Sequence, residues 1–118
     1  MNAELKTHGV PTSRELRAYV ERRLGFTLDR HEERIARVYV TLEDVNGPKG
    51  GDDKRCRIDV LLCDGRAVRA TAQEADAMEA VDIAAHRALR GVNRAVERLL
   101  ATALDPRWLE QATTSDAL

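Results

Sequence analysis

The segment RCRIDVLLCDGRAVRATAQ, residues 55–73, decides the fold of this 118-residue chain. On both sides of Asp64-Gly65, apolar residues alternate with polar ones, which is typical of strands with one buried face. Asp-Gly between two such runs is a strong signal for a tight hairpin turn. The segment therefore predicts two antiparallel strands, over residues 55–62 and 66–73, whose inward side chains are Cys56, Ile58, Val60, Leu62, Val68, Ala70 and Ala72.

Two further strands are predicted on the N-terminal side of this hairpin. Residues 37–45 alternate, with Val38, Val40 and Leu42 on one side, and this pattern predicts a half-buried strand. Residues 46–53, NGPKGGDD, consist of turn-forming types and predict a loop. Residues 3–8 alternate more weakly and predict a short first strand.

The segment after the first strand predicts an amphipathic helix over residues 13–31. Thr12 and Glu15 have the spacing of a capping box, which marks the start of a helix. An apolar residue then recurs every four positions from Leu16 to Leu28. This pattern continues past Gly25, so we expect that glycine to lie inside the helix.

A second, longer helix is predicted after the hairpin. Asp76 with Glu79 predicts its start, and Asp105-Pro106 ends it after about Leu104. Helical spacing gives it a core face made of Val81, Ala85, Leu89, Val92, Val96 and Leu99.

The predicted order is β-α-β-β-β-α, an α+β fold with a four-stranded mixed sheet and both helices packed on one face. The first two strands are joined through a helix and should be parallel, whereas the later strands should form an antiparallel meander. The length suits one domain. We assign residues 1–105 to this domain and expect residues 106–118, which are polar apart from Trp108 and Leu109, to form a flexible tail.

Composition narrows the classes of function. The chain has 19 basic and 20 acidic residues and a net charge of −1, so nucleic-acid binding requires that the charges be segregated. No apolar run resembles a signal peptide or is long enough to span a bilayer. Cys56 and Cys63 fall on opposite faces of an extended strand, so we expect two free thiols and a cytoplasmic protein.

The sequence does not predict catalysis. His8, His31 and His86 lie on different elements, with no carboxylate or cysteine motif around them. The glycine-rich loop contains Lys49 but does not match the phosphate-binding P-loop pattern. We therefore expect no enzymatic activity, no metal or cofactor and no small-molecule substrate.

The second helix carries the clearest candidate binding residues, here called the arginine stripe: Arg87, Arg90, Arg94 and Arg98. Helical spacing places them together on the face opposite the predicted core face. Guanidinium groups suit phosphate oxygens, and like charges four residues apart repel one another. An anionic partner, most simply RNA, would account for this arrangement. The alternative interpretation is an ordinary solvated helix face.

A second candidate set lies on the outward face of the predicted sheet. These sheet-face arginines, accompanied by Tyr39, are Arg37, Arg55, Arg57 and Arg69. Arginines beside an aromatic ring could stack on RNA bases, whereas the competing interpretation is protection of the sheet and solubility. Lys54, at the end of the loop, could reach a phosphate backbone, although Asp52 and Asp53 precede it.

Three groups of residues are distinctive together with the predicted element order: LRAYVE (16–21) with Leu24-Gly25, ATA (70–72) followed by Asp76 and AVD (80–82), and GGDDKRC (50–56). In these features the chain resembles the family of ribosome hibernation-promoting factors and ribosome-associated inhibitor A, also called sigma-54 modulation or S30EA proteins. The resemblance covers about residues 3–100 and corresponds to the short form, without an added dimerisation domain.

The resemblance implies a fold similar to double-stranded-RNA-binding domains. It also implies binding to the 30S ribosomal subunit, against 16S rRNA in the channel for mRNA and tRNA, so that translation stops in stationary phase or stress. Arg87, Arg90 and Arg94 match the basic pattern of the family's last helix, and Arg98 extends it by one turn. The alternative is a protein-interaction module of the same fold that no longer binds ribosomes, which the near-zero net charge favours.

Overall fold

The computed structural model describes residues 2–45 and 53–103, with side chains through Ala101. Its elements are β1 (Asn2–His8), α1 (Arg14–Leu28), a 3₁₀ segment (Asp29–Arg34), β2 (Ile35–Asp44), β3 (Lys54–Leu62), β4 (Ala67–Glu74) and α2 (Ala77–Ala103). The predicted order β-α-β-β-β-α and the α+β class are confirmed. The predicted loop over residues 46–53, apart from Asp53, and the predicted tail over 106–118 lie outside the described residues.

The four strands form one mixed sheet in the order β1-β2-β3-β4. β1 runs parallel to β2, and the β2–β3 and β3–β4 pairs are antiparallel, as predicted. The register aligns the inward residues: Val40 lies opposite Ile58, which in turn lies opposite Ala70. This alignment puts one continuous apolar face on the sheet, because side chains at every second position share a face.

The predicted hairpin turn between β3 and β4 is confirmed. Gly65 has a φ of +94°, a conformation that glycine adopts without the steric cost other residues incur. The Arg66 amide donates to the Asp64 side chain at 3.0 Å, and the Leu62 amide donates to the Arg66 carbonyl at 2.8 Å. These bonds fix the turn, and with it the pairing of β3 with β4.

The core lies between the apolar face of the sheet and the two helices. α1 contributes Leu16, Val20, Leu24 and Leu28, and α2 contributes mostly small side chains: Ala80, Val81, Ala84, Ala85, Ala88 and Val92. Small residues let a helix lie close to a sheet. At Gly91 the approach leaves no room for a side chain, because a Cβ there would lie only 2.4 Å from Cγ1 of Val68 on β4.

The start and end of α1 differ from the prediction. Ser13, not Thr12, is the N-cap: its backbone is extended, and its side chain accepts a 3.0 Å hydrogen bond from the Leu16 amide. The Thr12 hydroxyl instead bonds to Thr7 of β1. The α-helix ends at Leu28, the last residue of the apolar pattern, and the tighter 3₁₀ segment connects it to β2. Gly25 lies inside the helix, as predicted.

α2 begins as predicted but its last turns are less buried than expected. The Asp76 carboxylate accepts a hydrogen bond from the Met78 amide at 3.1 Å and caps the helix, while Glu79 is exposed in the first turn. Leu99, predicted for the core, is 39% exposed. A helix of 27 residues is about 40 Å long, whereas a strand of 8 residues spans about 26 Å. The end of α2 therefore extends past the sheet.

Candidate nucleic-acid interface

The arginine stripe lies along the flank of α2 that faces β4. All four side chains are exposed, and Nη1 of Arg87 donates to the Thr71 carbonyl of β4 at 2.7 Å. The prediction that the stripe lies opposite the core face is therefore wrong. At about 100° per residue the stripe is only a third of a turn from the buried face, because α2 packs on the sheet at its β4 edge.

Two shallow grooves follow this junction between α2 and β4. The first, of about 410 Å³, is lined by Arg69, Ala70, Thr71, Arg87, Arg90 and Arg94. The second, of about 370 Å³, continues along the helix and is lined by Arg66, Ala67, Val68, Gly91, Arg94, Ala95 and Arg98. Arg94 lines both, so the two grooves adjoin at this residue and together are bordered by the four stripe arginines beside the edge strand.

The stripe keeps its positive charge. Among the described residues, no carboxylate forms an ion pair with Arg87, Arg90 or Arg94. Of the acidic residues on α2, Glu79 lies in the first turn and Glu97 is exposed near the end. Arg87, Arg90 and Arg94 can therefore offer their guanidinium groups to an anion without first breaking an ion pair with a described carboxylate.

The remaining acidic residue of α2, Asp82, is engaged with α1. Its Oδ1 accepts hydrogen bonds from Tyr19 Oη at 2.5 Å and from Arg23 Nε at 2.7 Å. The hydrogen bond from Arg23, together with that from Tyr19, lowers the pKa of Asp82. The hydrogen bond from Tyr19 to Asp82 raises the pKa of Tyr19, because the phenol would have to give up the proton that it donates in this bond. Asp82 thus joins the two helices and does not pair with Arg87, Arg90 or Arg94.

The sheet-face arginines are arranged differently, because each one forms an ion pair. Arg37 lies 3.6 Å from Glu4, and Arg55 lies 3.1 Å from Glu43 on the neighbouring strand. Asp59 takes two partners, at 3.3 Å from Arg57 and 2.6 Å from Arg69. Tyr39 accepts a 3.4 Å hydrogen bond from Arg37. These residues share one face as predicted, but its charges are largely balanced.

Lys54 is held by two carboxylates. Its Nζ lies 3.0 Å from Asp53, which is only 5% exposed, and 3.4 Å from Asp44. The hydrogen bond to Asp53 is the main reason that the pKa of Lys54 is raised. Lys54 is therefore held by ion pairs at the start of β3, and its ammonium group is less free to reach a phosphate than that of an unpaired lysine. Lys49 lies outside the described residues.

Arg66 is a groove residue that the sequence analysis did not single out. Its Nε bonds to Asp64 at 2.8 Å, and its Nη2 donates to the Ala95 carbonyl of α2 at 3.0 Å. It therefore ties the hairpin turn to the helix and borders the groove beside Arg94 and Arg98. The sequence shows a basic residue directly after Asp64-Gly65, at the start of the last strand of the predicted meander, but it does not show that α2 packs beside this residue.

The described residues offer little for catalysis. No three His, Cys, Asp or Glu side chains are grouped as a metal site in the described ranges. His31 is within 2.6 Å of the Asn93 side chain and links the 3₁₀ segment to α2. Cys56 is buried, which raises its pKa to about 12, while Cys63 is exposed. In the part of the chain that is described, no helix combines the length and the apolarity needed to cross a membrane.

Comparison with solved structures places the fold among known relatives. The crystal structure of the N-terminal domain of Thermus thermophilus Protein Y superimposes with a TM-score of 0.66 and 27% identity, over 80% of this chain and 98% of that one. A ribosomal subunit interface protein from Coxiella burnetii shares the fold, with a TM-score of 0.67 and 21% identity over 82% of this chain and 99% of that one.

Sequence comparison agrees with the resemblance seen in the motifs. Comparison with curated protein sequences gives no significant match. The model of the family described as sigma 54 modulation protein / S30EA ribosomal protein, however, matches residues 3–100. The chain therefore belongs to the sigma 54 modulation protein / S30EA ribosomal protein family.

Proposed function

We propose that this protein is a ribosome-associated translation inhibitor that binds the 30S subunit through its arginine stripe. Membership of a family named for a ribosomal protein supports a ribosomal partner. The stripe would contact phosphates of 16S rRNA within the channel that otherwise holds mRNA and tRNA. Inhibition then requires only occupancy, because a folded domain in the channel excludes both RNAs sterically.

The observation that carries this proposal is the row of Arg87, Arg90 and Arg94 along the α2–β4 groove, since none of these three forms an ion pair with a described carboxylate. Phosphate is recognised well by planar guanidinium groups, which can donate two parallel hydrogen bonds to one anion. The groove offers successive arginines along one direction, as a phosphate backbone requires. A chain of net charge −1 can bind RNA in this way because its positive charge is local.

The proposal places the protein in the cytoplasm and in the response to stress or stationary phase. In that state, idle ribosomes are preserved by keeping mRNA and tRNA out of the channel. No catalytic step is involved, so the effect on translation should follow the fraction of ribosomes occupied and should reverse on dissociation.

A triple charge reversal tests the role of the stripe. Arg87→Glu/Arg90→Glu/Arg94→Glu should abolish co-sedimentation with 30S subunits while the melting temperature stays close to that of the wild type, because the three side chains are exposed. The matched control is Arg14→Glu/Arg17→Glu/Arg34→Glu, three exposed arginines away from the groove. The control variant should keep most of the binding. Undiminished binding by the folded stripe variant would reject the role given to the stripe.

The second candidate function is a protein-interaction module that does not bind ribosomes. The balanced ion pairs of the sheet face favour it, since such a surface has no net attraction for RNA. It requires that wild-type protein be absent from the ribosomal fractions of a sucrose gradient of stationary-phase lysate. If the protein is present in the ribosomal peak, the second candidate function is rejected in favour of the translation inhibitor.

A further inference from the structure

Phe26 occupies an unusual position for a large aromatic residue. It is the only phenylalanine of the chain and is 80% exposed, whereas its neighbours on α1, Leu24 and Leu28, are completely buried. The apolar pattern of α1 does not include it, so the fold does not require an aromatic ring there. Aromatic side chains are enriched where proteins contact partners, so the surroundings of this ring decide whether it is such a contact.

The ring of Phe26 separates two adjoining clefts on the outer side of the helices. The first, of about 390 Å³, is lined by Tyr19, Arg22, Arg23 and Phe26. The second, of about 430 Å³, lies between α1 and α2 and is lined by Arg23, Phe26, Thr27, Asp29, Arg30, His86 and Leu89. A flat molecule can therefore approach the ring from the open side and still contact both helices.

The surroundings of the ring are mainly cationic. Within the described ranges no carboxylate pairs with Arg22 or Arg30, which lie one helical turn before and one turn after Phe26. Arg23 is fixed by its bond to Asp82, and Asp29 is the acidic residue that lines the second cleft. Two free guanidinium groups thus flank an exposed aromatic face.

We propose that Phe26 is a stacking platform for an unpaired RNA base, with Arg22 and Arg30 holding the phosphates on either side. Proteins commonly bind single-stranded nucleic acid through an aromatic face with cations beside it. The aromatic ring stacks on the π face that every base has, and the cations contact the phosphate of each nucleotide. The inference rests on the proposed ribosomal function and adds to it a second contact, on α1, distinct from the arginine stripe.

The two contacts can belong to one RNA-binding surface. His86 lines the cleft beside Phe26, and Arg90, one turn further along α2, lines the groove at β4. A folded RNA resting on the helices could therefore contact the groove with its backbone and place an extruded base on Phe26. A second copy of this chain is a poorer occupant, because a two-fold contact at Phe26 would bring arginines together.

Substitutions at one position separate stacking from simple apolar contact. Phe26→Ala should weaken 30S binding roughly tenfold. Phe26→Leu retains apolar surface but no π face and should be as weak as Phe26→Ala, whereas Phe26→Tyr should bind like the wild type. Met78→Ala removes another exposed apolar side chain and should change nothing. Because Phe26 is exposed, all variants should melt within a few degrees of the wild type.

A second measurement tests the base contact without ribosomes. In a Trp108→Phe background, Phe26→Trp supplies the chain's only tryptophan, and its fluorescence should be quenched when a twelve-residue oligoadenylate binds. Inorganic polyphosphate of equal charge should leave the fluorescence almost unchanged, since it offers phosphates but no bases. Additional substitution of Arg22 and Arg30 by alanine should raise the oligoadenylate concentration needed for half-maximal quenching several-fold.

The outcomes distinguish this inference from the function on which it rests. If wild-type protein binds 30S subunits but Phe26→Ala or Phe26→Leu binds equally well, the stacking contact is wrong and the proposed function stands. If wild-type protein does not bind ribosomes but oligoadenylate quenches the probe, the stacking site stands and the ribosomal function fails. If Phe26→Ala instead abolishes self-association in sedimentation velocity, the surface is a contact between copies and the inference is wrong.

Discussion

The sheet face and the α2 flank carry similar numbers of arginines and differ in what lies beside them. On the sheet, the cross-strand neighbours Glu4, Glu43 and Asp59 pair with Arg37, Arg55 and Arg69, and Asp59 also pairs with Arg57 on its own strand, so that every sheet-face arginine forms an ion pair. On α2, Arg87, Arg90 and Arg94 form none with the described carboxylates, and Asp82 is turned towards α1. Arginine content therefore does not distinguish the two surfaces, whereas the pairing of the arginines with carboxylates does.

The difference follows from the geometry of the two elements. In a sheet, residues directly opposite one another lie close enough for opposite charges to pair at little conformational cost. In a helix, a residue's nearest neighbours lie three and four positions away, and the stripe arginines are such neighbours of one another, with Glu97, three positions after Arg94, as the acidic exception. The stripe therefore stores mild repulsion that an anion would relieve, whereas binding an anion at the sheet face would require existing pairs to open.

The largest expected effect is on the salt dependence of binding. If three stripe arginines contact phosphates, the affinity for 30S subunits should fall about fortyfold between 50 and 200 mM salt. Alanine at Arg87, Arg90 and Arg94 should flatten the slope of log K against log salt by about three. Alanine at Arg37, Arg55 and Arg69 should leave the slope almost unchanged. Equal slopes for the two triple variants, measured by filter binding, would remove the distinction between the surfaces.

A smaller effect is expected when the carboxylates of the sheet face are neutralised. Glu4→Gln/Glu43→Gln/Asp59→Asn leaves the four arginines in place but without partners, so the sheet face should resemble the stripe. We expect non-specific affinity for single-stranded RNA at low salt to rise several-fold, as measured by fluorescence anisotropy. Glu15→Gln/Glu21→Gln/Glu33→Gln changes the net charge equally on exposed surfaces elsewhere. A similar rise in that control would mean that net charge, not pairing, determines affinity.

The sequence predicted the strands and helices that carry the two sets of arginines better than it predicted which charged residues lie beside each arginine. Alternation and the Asp-Gly turn determine β3 and β4, and this pairing alone places Asp59 opposite Arg69. The pairing of Arg55 with Glu43 depends on the register between β2 and β3. A loop joins these two strands, and because the sequence does not specify the loop's conformation, it does not fix this register. The balanced charges of the sheet face were therefore only partly accessible from the sequence.

The helices show the same limit. Four-residue spacing correctly placed Leu16, Val20, Leu24 and Leu28 in the core, and it grouped the stripe arginines on one side of α2. Periodicity does not say where the sheet ends, so Leu99 was assigned to the core although α2 extends past the strands there. It also cannot show that α2 rests against the edge strand, which decides that the stripe borders a groove.

The groove beside the stripe depends on the close contact of α2 with β4, and two helical glycines test that contact. Gly91→Ala should destabilise the domain by about 1 kcal/mol, because overpacking against Val68 outweighs the gain in helix propensity. Gly25→Ala has no atom within 4 Å of the new Cβ and should stabilise by up to about 1 kcal/mol. Urea unfolding measures both, and Val68→Ala should restore the stability of Gly91→Ala. If both glycine substitutions destabilise the domain, the close packing of α2 on β4 is not the reason for the effect of Gly91→Ala.

The smallest expected effect concerns Asp82, the carboxylate that α1 keeps away from the stripe. Arg23 and Tyr19 lower its pKa, so its ionised form is favoured more in the folded protein than in the unfolded chain. The resulting stability is complete above about pH 4, where the unfolded carboxyl is also ionised, and is lost as the pH falls through the lowered folded pKa. Because both partner side chains are a third or more exposed, the contribution should stay below about 1 kcal/mol.

Urea midpoints at pH 6 and pH 3 measure this contribution. The difference in stability between wild-type protein and Asp82→Asn should shrink at the lower pH, because a growing fraction of the Asp82 carboxyl is then protonated and uncharged, as asparagine always is. Glu79→Gln, an exposed change in the first turn of α2, should show no such convergence. If Asp82→Asn also leaves 30S binding unchanged at pH 7, the charge of Asp82 acts only at the junction between α1 and α2. If it instead strengthens binding as much as an added stripe arginine would, the carboxylate reaches the RNA-binding surface and the stripe is not electrostatically separate from α1.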